Sequence, residues 1–119
     1  MPHFTLEYSD NLPIKSQDLL LKINRALVDT HHFEEIDIKS RAIRLDDVLI
    51  GTQSADRAFL HAKLAILKGR SPEVRRELSE RVLAVIQATQ TWPAGLDVQL
   101  CVEVLEIDKE TYAKAHLSN

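Results

Sequence analysis

Two groups of residues in this chain could move a proton or hold an anion: a proline at the second position, and three cations, Lys39, Arg41 and Arg70. Loss of Met1, an expected step where the second residue is small, would leave Pro2 with a free secondary amine. An α-amino group titrates near about 7.7–8.0, so a deprotonated amine held in a pocket is a usable general base. Partial burial and nearby positive charge both favour that free-base form. The alternative is an inert proline beside an unstructured terminus. Among the cations, arginine is the better carboxylate clamp because its planar fork binds bidentately, while lysine offers a point charge. Lys39 and Arg41 fall on one face of an expected strand, and Arg70 stands in Gly69-Arg70-Ser71. The alternative for each arginine is an exposed charge or a carbonyl cap.

The elements that must position these residues follow from periodicity. Phe4, Leu6 and Tyr8 alternate with His3, Thr5 and Glu7, the pattern of a strand with one buried face. Pro2 has no N–H for a ladder and belongs at the start of that strand or on an edge. A turn-rich link, Ser9 to Pro13, leads to a helix expected over about Ser16 to Thr30, with Ser16 as N-cap and Asp18 in the first turn. Leu19, Leu20, Ile23, Ala26 and Leu27 form its apolar stripe. Ile36 to Leu45 reads as a second strand, and Val48-Leu49-Ile50 as a short extra one. Phe59 to Leu67 is the third long strand, with Leu60, Ala62, Leu64 and Ile66 on one face. Ser71 caps the next helix, Pro72 takes its first position, and the helix is expected to reach about Gln90. Val98 to Ile107 closes the series, and residues 109–119 form a polar tail in which Tyr112 is expected to anchor against a neighbour. The adjacent His31 and His32 do not make a metal site, because their side chains diverge and no third ligand is spaced nearby. A helix-end charge or surface role is the expectation.

A shift of 58 residues lays His3 on His61, Leu6 on Leu64, Leu20 on Leu78 and Leu27 on Val85. Each half reads strand–helix–strand, a crossover that makes its strands parallel. The expectation is one domain over 1–119, with repeats at approximately 2–57 and 58–108. Its fold class is α+β built from α/β-type units: two pseudo-symmetric βαβ units in a four-stranded mixed sheet, two helices on one face. Pro2 falls opposite Leu60, so one half alone has the amine.

The opening Pro2-His3-Phe4, with Glu7 and Ser9-Asp10-Asn11, resembles the start of the 5-carboxymethyl-2-hydroxymuconate Δ-isomerase family of the tautomerase superfamily. The likeness continues through Lys39-Ser40-Arg41, Ala58-Phe59-Leu60-His61 and Gly69-Arg70-Ser71, and so spans most of the chain. It implies an amino-terminal proline as catalytic base and a cofactor-free isomerase acting on a small unsaturated hydroxy or oxo diacid in aromatic-compound breakdown. The reaction is a 1,3-proton shift: the base takes a proton from one atom and returns it to another while cations hold the carboxylates and the developing dienolate. Arg70 resembles the substrate-binding Gly-Arg-Ser of the small 4-oxalocrotonate tautomerases, though there it follows the proline strand. Lys39 and Arg41 fall where the family has two arginines flanking a serine, and Lys39 departs from that pattern. The likeness further implies a trimer packed sheet to sheet. That suits an uncovered face carrying His3, Thr5, Glu7, Lys63, Ala65, Gln99, Cys101 and Glu103, a mixed surface. Other expectations in view are phenylpyruvate tautomerisation or a dehalogenase activity on the same fold, and a non-catalytic trimeric binding module.

Composition bounds the rest. At 119 residues, 45% hydrophobic, the chain suits one ordered core, mainly aliphatic because aromatics make up only 5%. A net charge of −3 with interspersed signs gives no footprint for nucleic acid or a membrane surface. No apolar run is long enough to span a bilayer and no secretory leader is visible. The single cysteine excludes an internal disulfide or a thiolate metal cluster and suggests a reducing cytoplasm.

Overall fold

The computed structural model of the chain describes residues 1–89 and 91–119. Its elements in order are β1 (His3–Ser9), α1 (Ser16–Asp29), a 3-10 turn (Glu35–Asp37), β2 (Lys39–Leu45), β3 (Arg57–Leu67), α2 (Pro72–Thr89) and β4 (Asp97–Ile107). The sheet runs β2-β1-β3-β4. β1 is parallel to β2 and antiparallel to β3, and β3 is parallel to β4, so two strand–helix–strand units meet along the β1–β3 ladder.

The alternation seen in the sequence sets which face is buried. Phe4, Leu6, Leu60, Ala62 and Leu64 have no exposed surface, and they pack with Leu19, Ile23 and Leu27 of α1 and Leu78, Val82 and Ile86 of α2. Each fully buried leucine or isoleucine in that cluster contributes about 1.5–3 kcal/mol of hydrophobic stabilisation, an upper figure for a compact denatured chain. Both helices therefore cover one face. On the other, His3, Thr5 and Glu7 stay partly exposed, Glu7 meets Lys63 at 3.2 Å, and His61 meets Glu103 at 2.5 Å. Where the β1–β3 ladder ends, buried Ser9 takes over: its hydroxyl accepts the Phe59 N–H at 3.1 Å.

The local signals differ in outcome. Ser71 caps α2 as expected, accepting the Val74 N–H at 3.2 Å, with Pro72 as the first helical residue. α2 is described to Thr89; Gln90, where its end was expected, lies outside the described residues. Ser16 is not the cap of α1: Lys15 holds that position, its carbonyl accepting the Leu19 N–H at 3.0 Å, which places Ser16 inside the first turn. β2 begins at Lys39, because the preceding residues close a 3-10 turn through Asp37 N–H to Glu34 and Ile38 N–H to Glu35. Val48-Leu49-Ile50 is not a strand; it finds no ladder, and the Ile50 carbonyl accepts the Arg57 guanidinium at 2.9 Å instead.

Candidate active site

The β1–β2 ladder starts on the carbonyl side of Pro2, which accepts the Lys39 N–H at 3.1 Å. Proline can offer only that carbonyl, so its nitrogen makes no ladder hydrogen bond. The Pro2 ring is fully buried. Directly before it, the Met1 amine is held below its ordinary value of 8.0, chiefly by burial. Asp37 opposes the shift, while Lys39, Lys114 and Arg70 add to it. Burial and like charge both disfavour the ammonium form.

Lys39 and Arg70 thus both act on the amino terminus. Lys39 lies beside His3 in register, and its ammonium folds back onto the Asp37 carbonyl. Arg70 comes from the link before α2. Gly69, at φ 134°, lets the backbone turn there, in a region that favours glycine. The Arg70 guanidinium donates to the His32 carbonyl at 2.8 Å and to His32 Nδ1 at 3.2 Å, and it stands 5.0 Å from the centre of the Phe33 ring. Arginine is a donor only, so His32 Nδ1 is the acceptor. Met1, Phe33, Arg70 and Lys109 are among the walls of a cleft of about 310 Å³. A larger cavity of about 530 Å³ lies between α1 and the 3-10 turn, lined by Leu21, Val28 and Ile36 among others. It shares no wall residue with the cleft at the amino terminus, and its titratable walls are Arg25, Asp29 and Glu35.

Arg41 stands two residues beyond Lys39 on β2. Its guanidinium lies 3.1 Å from His3 Nδ1, and His3 Nε2 lies 2.8 Å from the Tyr112 hydroxyl. Since Nδ1 must accept from arginine, the proton of a neutral His3 sits on Nε2 and is donated to Tyr112. His3 is held below its ordinary value, first by burial and then by Lys39, Arg41, the amino terminus and Lys114.

The structure therefore brings Pro2, Lys39 and Arg70 to one place and Arg41 to its margin. It also brings residues that sequence reasoning did not single out for the site: Asp37, His32, Phe33 and, from the carboxyl-terminal tail, Tyr112 and Lys114. Tyr112, expected to anchor against a neighbour, bonds His3. Lys114 Nζ donates to Asp37 Oδ1 at 3.1 Å and lies 3.3 Å from Met1 Sδ. No periodicity in residues 109–119 signals this. Among the described residues, no three His, Cys, Asp or Glu side chains gather as a metal-binding group.

The 5-carboxymethyl-2-hydroxymuconate isomerase family profile matches residues 2–118. A 5-carboxymethyl-2-hydroxymuconate isomerase from Deinococcus radiodurans R1 is 33% identical and superposes with a TM-score of 0.86, over 98% of this chain and 90% of that one. A 5-carboxymethyl-2-hydroxymuconate delta-isomerase is 19% identical with a TM-score of 0.77, over 100% of this chain and 89% of its own. A fused 4-OT symmetric trimer shares the fold at 15% identity and a TM-score of 0.72, over 95% of this chain and 91% of its own. No curated protein is significantly similar in sequence. With nearly the whole chain matched and the fold shared, the protein belongs to the 5-carboxymethyl-2-hydroxymuconate isomerase family.

Proposed function

We propose that the protein isomerises an unsaturated 2-hydroxy or 2-oxo diacid of the 5-carboxymethyl-2-hydroxymuconate type by a 1,3-proton shift, without a cofactor, as a step in aromatic-compound breakdown in the cytoplasm. The Pro2 amine, freed by removal of Met1, takes the proton from one atom of the substrate and returns it to another. Lys39, Arg41 and Arg70 bind the carboxylates and the developing dienolate, whose charge they offset most as it forms. The observation that carries this reading is the head of β1: a buried proline whose neighbouring amine is depressed by burial, with Lys39 and Arg70 acting on it. Burial and like charge both favour the free-base form of an amine in that setting, which is the form that proton abstraction requires.

The same reading makes the protein a homotrimer joined through the uncovered sheet face. That face is neither fully polar nor fully apolar: the Glu7–Lys63 ion pair and the His61–Glu103 contact stand beside exposed Ile43 and Leu105. Light scattering should return three chains at micromolar concentration, and a stable monomer would remove the trimer. An ultraviolet assay of the processed protein with synthetic 2-hydroxymuconate-type diacids should show isomerisation. Total inactivity across such diacids and phenylpyruvate would instead favour a non-catalytic binding module.

A further inference from the structure

We propose that Lys114 is a positioning residue of this site, brought over the amino terminus by the carboxyl-terminal segment to keep the Pro2 amine in its free-base form. The segment is fixed at two points. Tyr112 bonds His3 at 2.8 Å, and two residues later Lys114 reaches Asp37 Oδ1 at 3.1 Å and Met1 Sδ at 3.3 Å. These contacts join positions 109, 77 and 113 residues apart in the chain. The Met1 thioether lies against the ammonium, so departure of Met1 opens the space between Lys114 and the new amino group.

The charges around the Met1 amine, one residue before Pro2, act in opposite directions. Asp37 favours a protonated amine, whereas Lys39, Lys114 and Arg70 disfavour it. His3 and Arg41 stand next along β1 and β2, and Lys68 and Lys109 line the cleft. Lys114 acts twice within this set. It repels a proton directly, and it engages the Asp37 carboxylate, which would attract one. The Asp37 carboxyl is itself held below its ordinary value, first by its hydrogen bond from Lys114. As an ordinary half-exposed ion pair the contact would add little to stability. Its place beside Met1 gives it an effect on the amine that such a pair elsewhere would lack.

The inference rests on the proposed removal of Met1 but needs no substrate for its test. On chain shown by mass to start at Pro2, the rate of amine alkylation by iodoacetamide is followed against pH, read on the amino-terminal peptide to exclude Cys101. Lys114→Met should move the midpoint to higher pH and slow alkylation at pH 7 several-fold. Lys114→Arg should restore the wild-type profile, and Asp37→Asn should move the midpoint to lower pH. A folded Lys114→Met variant whose profile overlays the wild type would overturn the inference while leaving the isomerase reading intact. Conversely, shifted midpoints in a protein that isomerises no diacid would sink that reading and keep this one.

Discussion

Pro2 and Leu60 hold corresponding places in the two strand–helix–strand units, both fully buried toward the helices. Pro2 stands at the open head of β1, whereas Leu60 lies inside β3 with Tyr8 on one side and Leu100 on the other. The ladders beside them are offset differently. His3 faces Lys39 and His61 faces Cys101, because the second helix has 18 residues to the first one's 14, about one turn more. Two residues beyond those partners, Arg41 contacts His3 at 3.1 Å and Glu103 contacts His61 at 2.5 Å. The same scaffold thus presents a cation to one histidine and a carboxylate to the other. Folding requirements are met alike in both units, and the difference in charge suits the proposed receipt of an anionic substrate on the Pro2 side.

The comparison can be broken first at its buried members. Leu60→Ala removes a core side chain and should lower unfolding free energy by about 2–5 kcal/mol in urea titration. A loss under half that would mean Leu60 is not the scaffold residue its burial indicates. Next come the two charges on the histidines. Arg41→Ala should weaken kcat/KM by about 2–4 kcal/mol of transition-state stabilisation, with Arg41→Lys recovering only part. Glu103→Gln should leave kcat/KM nearly unaltered. If Arg41→Ala cost less than tenfold, the carboxylate clamp would pass to Arg70 or Lys39.

The smallest effect concerns pH. His3 binds a proton less readily in the folded chain than at its ordinary value of 6.5, so the unfolded chain takes up more protons as pH falls through that value. Stability should therefore decline as pH drops below it, and His3→Gln should flatten the decline in thermal midpoint. Parallel declines in both proteins would remove His3 as its source.

Much of the frame was legible because it rests on local rules. Phe4-Leu6-Tyr8 alternates, Ser71-Pro72 caps a helix, and Leu60 to Ile66 writes one buried face of β3. The errors fell where a local preference met no partner. Val48-Leu49-Ile50 has strand-forming residues but pairs with nothing, and Ile36, strand-forming by type, is claimed by the 3-10 turn Glu35–Asp37. Pro2, Lys39 and Arg70 were visible as residue types suited to proton transfer and anion binding. Lys114 was not, and Tyr112 was visible only as an anchor against a neighbour, since a polar tail without periodicity carries no signal for contacts 77 to 113 residues away. His32 was visible only as half of a histidine pair, while its structural role is to hold Arg70.

The central claim, that the Pro2 amine is the base, is tested most directly at the amino terminus itself. While Met1 is attached, the Pro2 nitrogen is an amide whose lone pair is delocalised and accepts no proton near neutral pH. Intact mass and diacid isomerisation should therefore be measured on the same preparations, processed and Met1-retaining. The account predicts that activity tracks the fraction of chains lacking Met1, that Pro2→Ala with its primary amine keeps part of it, and that chemical blocking of the amine abolishes it. A preparation that retains Met1 quantitatively and isomerises the diacid at the full rate would contradict it.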